Sequence, residues 1–121
     1  MDSKKQELGF EVMHIGFNSE NLDEAQRNAD ILKDLFGFDE KDTPISIFSS
    51  SKIEIMKYKS AGRLGHVAVG TNDAEAAKKY LVSKGIEFNE NSASFDSNGK
   101  LKLIYLKNDI AGFAFHLIQK S

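Results

Sequence analysis

The chain has 121 residues, 40% apolar and 28% charged, which is enough for one domain with a core and too short for two. Sixteen Lys and Arg against eighteen Asp and Glu leave a formal net charge of -2, so neither nucleic acid nor a membrane is an expected partner. The absence of cysteine excludes a disulfide framework, a thiolate metal site and a cysteine nucleophile, and it suits a cytoplasmic protein.

The polar opening M-D-S-K-K-Q-E does not read as a signal peptide, and no apolar run approaches the roughly 20 residues of a membrane span. Residues 11–18 (E-V-M-H-I-G-F-N) are rich in β-branched and aromatic side chains and predict a buried strand. Asn18, Ser19 and Asn21 offer capping side chains. Leu22, Ala25, Ala29, Leu32 and Phe36 then recur at helical spacing up to Gly37, which reads as the C-terminal stop. Residues 45–48 and 52–58 predict two short strands joined by the serine turn Ser49-Ser50-Ser51.

A strand over 65–71 opens the second half. Asn72 with Glu75 suggests a capping box for a helix that carries Ala77, Tyr80 and Leu81 and ends at Gly85. A further strand starts over 86–88, Asn98-Gly99 marks a turn, and the last strands fall at 100–106 and 113–119. The element order repeats, with H-I-G-F-N opening one half and H-V-A-V-G-T-N the other. The expected fold is α+β, two tandem βαβββ modules at about 9–60 and 64–121, related by a pseudo-twofold. They would form a curved mixed sheet, drawn as two small sheets with the helices on their outer faces.

Strand side chains alternate between faces, so residues with bulky flanking neighbours point the other way. His14 lies between Met13 and Ile15, Glu54 between Ile53 and Ile55, and His116 between Phe115 and Leu117, while His66 precedes Val67. With those neighbours packed on the helices, all four polar residues project to the opposite face, together with Met56, Ala68, Ala114 and Ile118. A single strand histidine is more often a hydrogen-bonded core residue, and Glu54 alone would read as a strand carboxylate paired with Lys52 or Lys57. Agreement of phase and repeat position across three imidazoles and one carboxylate instead suits a divalent first-row metal. Lys57, Lys59 and Arg63 sit near the hinge, either as anion receivers at the rim or as a solvated basic loop. Tyr105 and Phe48 read either as cavity lining or as core.

These residues carry a resemblance to the vicinal oxygen chelate superfamily (glyoxalase, bleomycin resistance and extradiol dioxygenase proteins), extending from Val12 to Gln119. The carriers are V-M-H-I-G-F, K-I-E-I-M, G-H-V-A-V-G-T-N and G-F-A-F-H-L. The resemblance implies that His14, Glu54, His66 and His116 hold Zn, Ni, Co, Mn or Fe. It implies a lyase or isomerase acting on a small substrate that chelates the metal through adjacent oxygens, such as an oxo acid. His116 and Glu54 would be the catalytic groups, with Met56, Arg63 and Tyr105 towards the substrate, in a homodimer. His116 stands where the glyoxalase I and epimerase branches carry glutamate. S-I-F-S, Y-L-V-S-K-G-I-E-F and G-F-A-F-H-L-I-Q-K are similar to the C-terminal extension of some bacterial 2-keto-3-deoxy-6-phosphogluconate/4-hydroxy-2-oxoglutarate aldolases. That likeness implies the alternative function, a non-catalytic metal or small-molecule binding module, either accessory to an aldolase or a sequestering resistance protein.

Overall fold

A computed structural model describes residues 3–121, so the first two residues of the polar opening run lie outside the described residues. The elements are α1 (Ser3–Leu8), β1 (Glu11–Phe17), α2 (Leu22–Phe36), β2 (Glu40–Asp42), β3 (Ser46–Ser49), β4 (Ile53–Met56), β5 (Gly65–Thr71), α3 (Ala74–Ser83), β6 (Phe88–Phe95), β7 (Leu101–Leu106) and β8 (Phe113–Gln119). The strands form one eight-stranded sheet in the order β2-β3-β4-β1-β5-β8-β7-β6. It is curved and open.

The two expected sheets are thus one sheet, because the opening strands of the halves pair with each other. β1 and β5 run antiparallel, and each pairs in parallel with the last strand of its own half, β1 with β4 and β5 with β8. Each half therefore repeats the same strand order outward from the centre. Pairing β1 with β5 satisfies backbone groups that two separate sheets would leave as open edges.

α2 begins at Asn21, whose side chain accepts the Glu24 N–H at 2.9 Å, and ends at Gly37 in the left-handed conformation (φ 73°), where the Gly37 N–H meets Lys33 O. Its fully buried face is Ala25 and Ala29, which pack with Ile47 and Ile55 of β3 and β4. Leu22 and Phe36, at the two ends of the expected stripe, remain exposed. α3 is capped by Asp73, which accepts the Ala76 N–H at 3.0 Å, one residue beyond the expected Asn72. The Asn72 side chain is spent instead on Glu7 O, tying α1 to the second half. Ala74 and Ala77 of α3 pack with Leu101, Ile104 and Leu117, joined by Leu8 from α1. Each large side chain fully buried in this way contributes roughly 1.5–3 kcal/mol.

α2 covers β2, β3 and β4, and α3 covers β7 and β8. The outer face of the central strands lies between the helices. Ile15, which was expected to pack on a helix, is accordingly 37% exposed, and Phe17 two residues on is 40% exposed. Two elements escape the sequence reading. α1 and β2 are short and almost wholly polar, and they carry no apolar period to detect.

Candidate metal centre

The strand register sets two rows of side chains across the concave face. One runs Phe48, Glu54, Gly16, His66, Ala114, and the other runs His14, Ala68, His116, Tyr105. The pseudo-twofold between β1 and β5 exchanges His14 with His66, Glu54 with His116, Gly16 with Ala68 and Phe48 with Tyr105. Small residues beside each central histidine leave space for the ring from the partner strand. Gly16 is the extreme case, because a Cβ there would overlap the His66 ring at Cε1.

One ligand atom from each of His14, His66 and His116 lies within 4.8 Å of the others. The Nε2 atoms of His14 and His66 are 3.4 Å apart. Glu54 Oε1 is 3.1 Å from His66 Nε2 and 3.3 Å from His14 Nε2, while Glu54 Oε2 accepts the Ser46 hydroxyl at 2.8 Å. His116 Nδ1 sits 3.3 Å from Leu117 O. That contact assigns the ring proton to Nδ1 and leaves Nε2 as a lone-pair donor. His66 Nδ1 is buried with no hydrogen-bond partner among the described residues.

Burial raises the Glu54 pKa, but the hydrogen bonds from His14, His66 and Ser46 outweigh it and hold the carboxyl well below the usual carboxylate range. Burial pushes His116 down to about 4 against the bond to Leu117 O, so this imidazole is neutral near pH 7. The Tyr105 hydroxyl is pushed up by burial first and by the Glu54 charge second, so it stays a proton donor. Three imidazole nitrogens and one carboxylate oxygen thus converge on a small volume. The donor set fits a divalent cation among them.

The group forms the floor of a hollow of about 280 Å³, whose remaining lining is Ile45, Phe48, Met56, Tyr58, Ser60, Leu103, Tyr105 and Ile118. Of the sequence-nominated residues, His14, Glu54, Met56, His66, Tyr105 and His116 line it. All four nominated metal residues come from a single chain. Arg63 does not line it; its guanidinium lies over Gly112 at the hinge. Lys57 and Lys59 are likewise engaged elsewhere, Lys57 with Asp42 and Thr43 O and Lys59 with Glu20. Gly16 and Ser46 escaped nomination. The signal for Gly16 was its place two residues after His14, on the same strand face, whereas nothing local marks Ser46.

No family model and no curated protein matches the chain. Solved structures do. A hypothetical protein from Bacillus halodurans C-125 superposes with a TM-score of 0.64 at 15% identity, over 93% of this chain and 96% of the other. A methylmalonyl-CoA epimerase from Mycobacterium tuberculosis gives 0.61 at 16% identity, over 91% and 87%. A variant of Streptomyces coelicolor methylmalonyl-CoA epimerase in complex with 2-nitronate-propionyl-CoA gives 0.59 at 17% identity, over 92% and 94%.

The chain has the glyoxalase-like fold.

At these identities the likeness concerns architecture, and the chemistry must be argued from the hollow itself.

Proposed function

We propose that this chain is a metal-dependent enzyme of the glyoxalase-like kind, a lyase or isomerase acting on a small substrate that offers two adjacent oxygens, such as an oxo acid. The observation that carries the reading is the convergence of His14, His66 and His116 within 4.8 Å, with Glu54 bonded to two of them, on the floor of a concave hollow. His14, Glu54, His66 and His116 would hold Zn, Ni, Co, Mn or Fe. A bound divalent ion supplies Lewis acidity to the chelated oxygen pair.

The protein supplies the rest. Met56, Leu103 and Ile118 line the hollow with apolar surface and exclude water, which strengthens every polar interaction inside it. Tyr105, with its ring 4.9 Å from that of His116, keeps its proton and donates towards substrate oxygen. Either Glu54 or His116 would accept and return a substrate proton, His116 through Nε2 because Nδ1 faces Leu117 O, and the one that does so would not hold the ion with that same atom.

The epimerases that share the fold support an isomerase among the possible reactions. The likeness to an aldolase extension supports a small oxo acid as the ligand. We read 1–121 as one domain of two modules, at about 9–60 and 64–121, working as a cytoplasmic homodimer. Among the described residues no helix is long and apolar enough to cross a membrane.

Metal content measured by elemental analysis tests the centre. His14→Ala with His66→Ala should abolish the bound metal, and Glu54→Gln should weaken its retention, because it removes the one anionic ligand. Unchanged content in the double variant removes the site. A panel of 2-oxo acids and a hemithioacetal on the metal-loaded parent then separates turnover from simple binding. Binding without turnover favours the sequestering module, a reading that His116, a firm neutral ligand, already lends weight to.

A further inference from the structure

The bond from Ser46 to Glu54 is built with more care than a strand contact needs. Ser46 is fully buried at the start of β3. Its register partner on β4 is Met56, which makes Glu54 its diagonal neighbour on the same face. A carboxylate only accepts, so the single hydroxyl proton of Ser46 lies towards Glu54 Oε2, at 2.8 Å. Ser46 is itself held. Its N–H donates to Thr43 Oγ1 at 2.9 Å, and Thr43 Oγ1 lies 2.9 Å from Ser46 Oγ and 3.0 Å from Ser46 O. Pro44 stiffens the two-residue link between Thr43 and Ser46.

Resting on the metal reading above, we propose that Ser46 is a positioning residue that reserves one oxygen of Glu54 and so limits this carboxylate to a single metal bond. The consequence is a count of coordination positions. A six-coordinate ion held by three imidazoles and one carboxylate oxygen keeps two positions for a substrate with two adjacent oxygens. The same ion with both Glu54 oxygens bound keeps one. Ser46 thereby protects the capacity for chelation rather than merely the fold. The pseudo-twofold mate of Glu54, His116, gets its orientation from a backbone carbonyl and cannot bind through two atoms at once, so only the first module needs such a hydroxyl.

The test uses Co(II) as the probe on parent, Ser46→Ala, Ser46→Thr, Glu54→Gln and the Ser46→Ala/Glu54→Gln pair, with far-ultraviolet circular dichroism as a check of folding. Titration calorimetry should show Ser46→Ala holding Co(II) no more weakly than parent, because the freed Glu54 Oε2 can also bond the ion, with changed visible d–d bands. Its Co(II) form should bind oxalate, a probe with two adjacent oxygens, about 10-fold more weakly, with Ser46→Thr close to parent. In the Glu54→Gln background, Ser46→Ala should cost no further oxalate affinity, because its effect runs through the carboxylate. Equal oxalate affinity and spectra in parent and Ser46→Ala overturn the role of Ser46 alone, as does an equal loss in both backgrounds. A parent that binds no Co(II) overturns the metal reading and takes this role with it. Should Ser46→Ala not fold, Thr43→Val replaces it. That variant frees the Ser46 hydroxyl from Thr43 and should lower oxalate affinity of the Co(II) form about 3-fold, and no loss there overturns the proposal.

Discussion

His116 shows how a buried imidazole couples the centre to pH. Its side chain is 3% exposed, and burial depresses its pKa to about 4 from an ordinary value of 6.5. Between those values the unfolded chain binds a proton that the folded chain refuses, so stability rises with pH across the window and is lost as pH falls through it. The amount is on the order of 3 kcal/mol. Glu54 acts lower on the scale. Its carboxyl is held below the usual range, so its contribution is present above the ordinary carboxylate value and disappears as pH falls further. We therefore expect the denaturation midpoint of the metal-free protein to fall markedly between pH 6.5 and 4, and His116→Gln to flatten that part of the profile. A parent with equal midpoints at pH 4.5 and 6.5 contradicts the assignment. The polar identity of His14, Glu54, His66 and His116 was legible because each interrupts an apolar strand in the same phase. Ser46 was not, because a serine before an isoleucine signals nothing until its neighbour across the hairpin is known.

Elements decide which of these side chains meet. The register of β1 against β5 sets Gly16 beside His66, with Glu54 on its other side. Had β1 slipped by one residue, the histidine would lie on the outer face of the sheet instead. Gly16→Ala tests this register directly, since its Cβ would displace the His66 ring. We expect a folded protein destabilised by about 1–3 kcal/mol that retains little metal by elemental analysis. Metal retention equal to the parent would mean that His66 does not need its observed position. At this scale α2 was readable from spacing and from the Gly37 stop. Its cap was readable only as a choice among Asn18, Ser19 and Asn21, and the backbone conformation selected Asn21. The cap of α3 fell one residue from its expected place because Asn72 is claimed by α1, a contact between segments 65 residues apart in the chain.

Across the whole molecule, α2 and α3 shield the outer strands of the sheet and leave the middle open. Val12, Ile15 and Phe17 of β1 face solvent there, and exposed apolar side chains gathered at the centre of a sheet suit a surface that a second copy covers. The homodimer proposed above should then elute with twice the chain mass in light scattering, and Ile15→Lys should return it to one. A parent with the mass of a single chain removes the dimer. Because the four nominated metal residues all reach the hollow from one chain, metal binding should survive Ile15→Lys. The amino-acid sequence by itself determined α2, α3, most of the strands, the internal repeat and the faces on which three imidazoles and a carboxyl lie, because hydrophobic period and side-chain alternation are local properties. Only the tertiary structure decided that β1 pairs with β5, that Gly16 makes room for His66, that Arg63 stays outside the hollow and that Ser46 holds Glu54. Those depend on which distant strands lie side by side, and no local pattern in a chain encodes that choice.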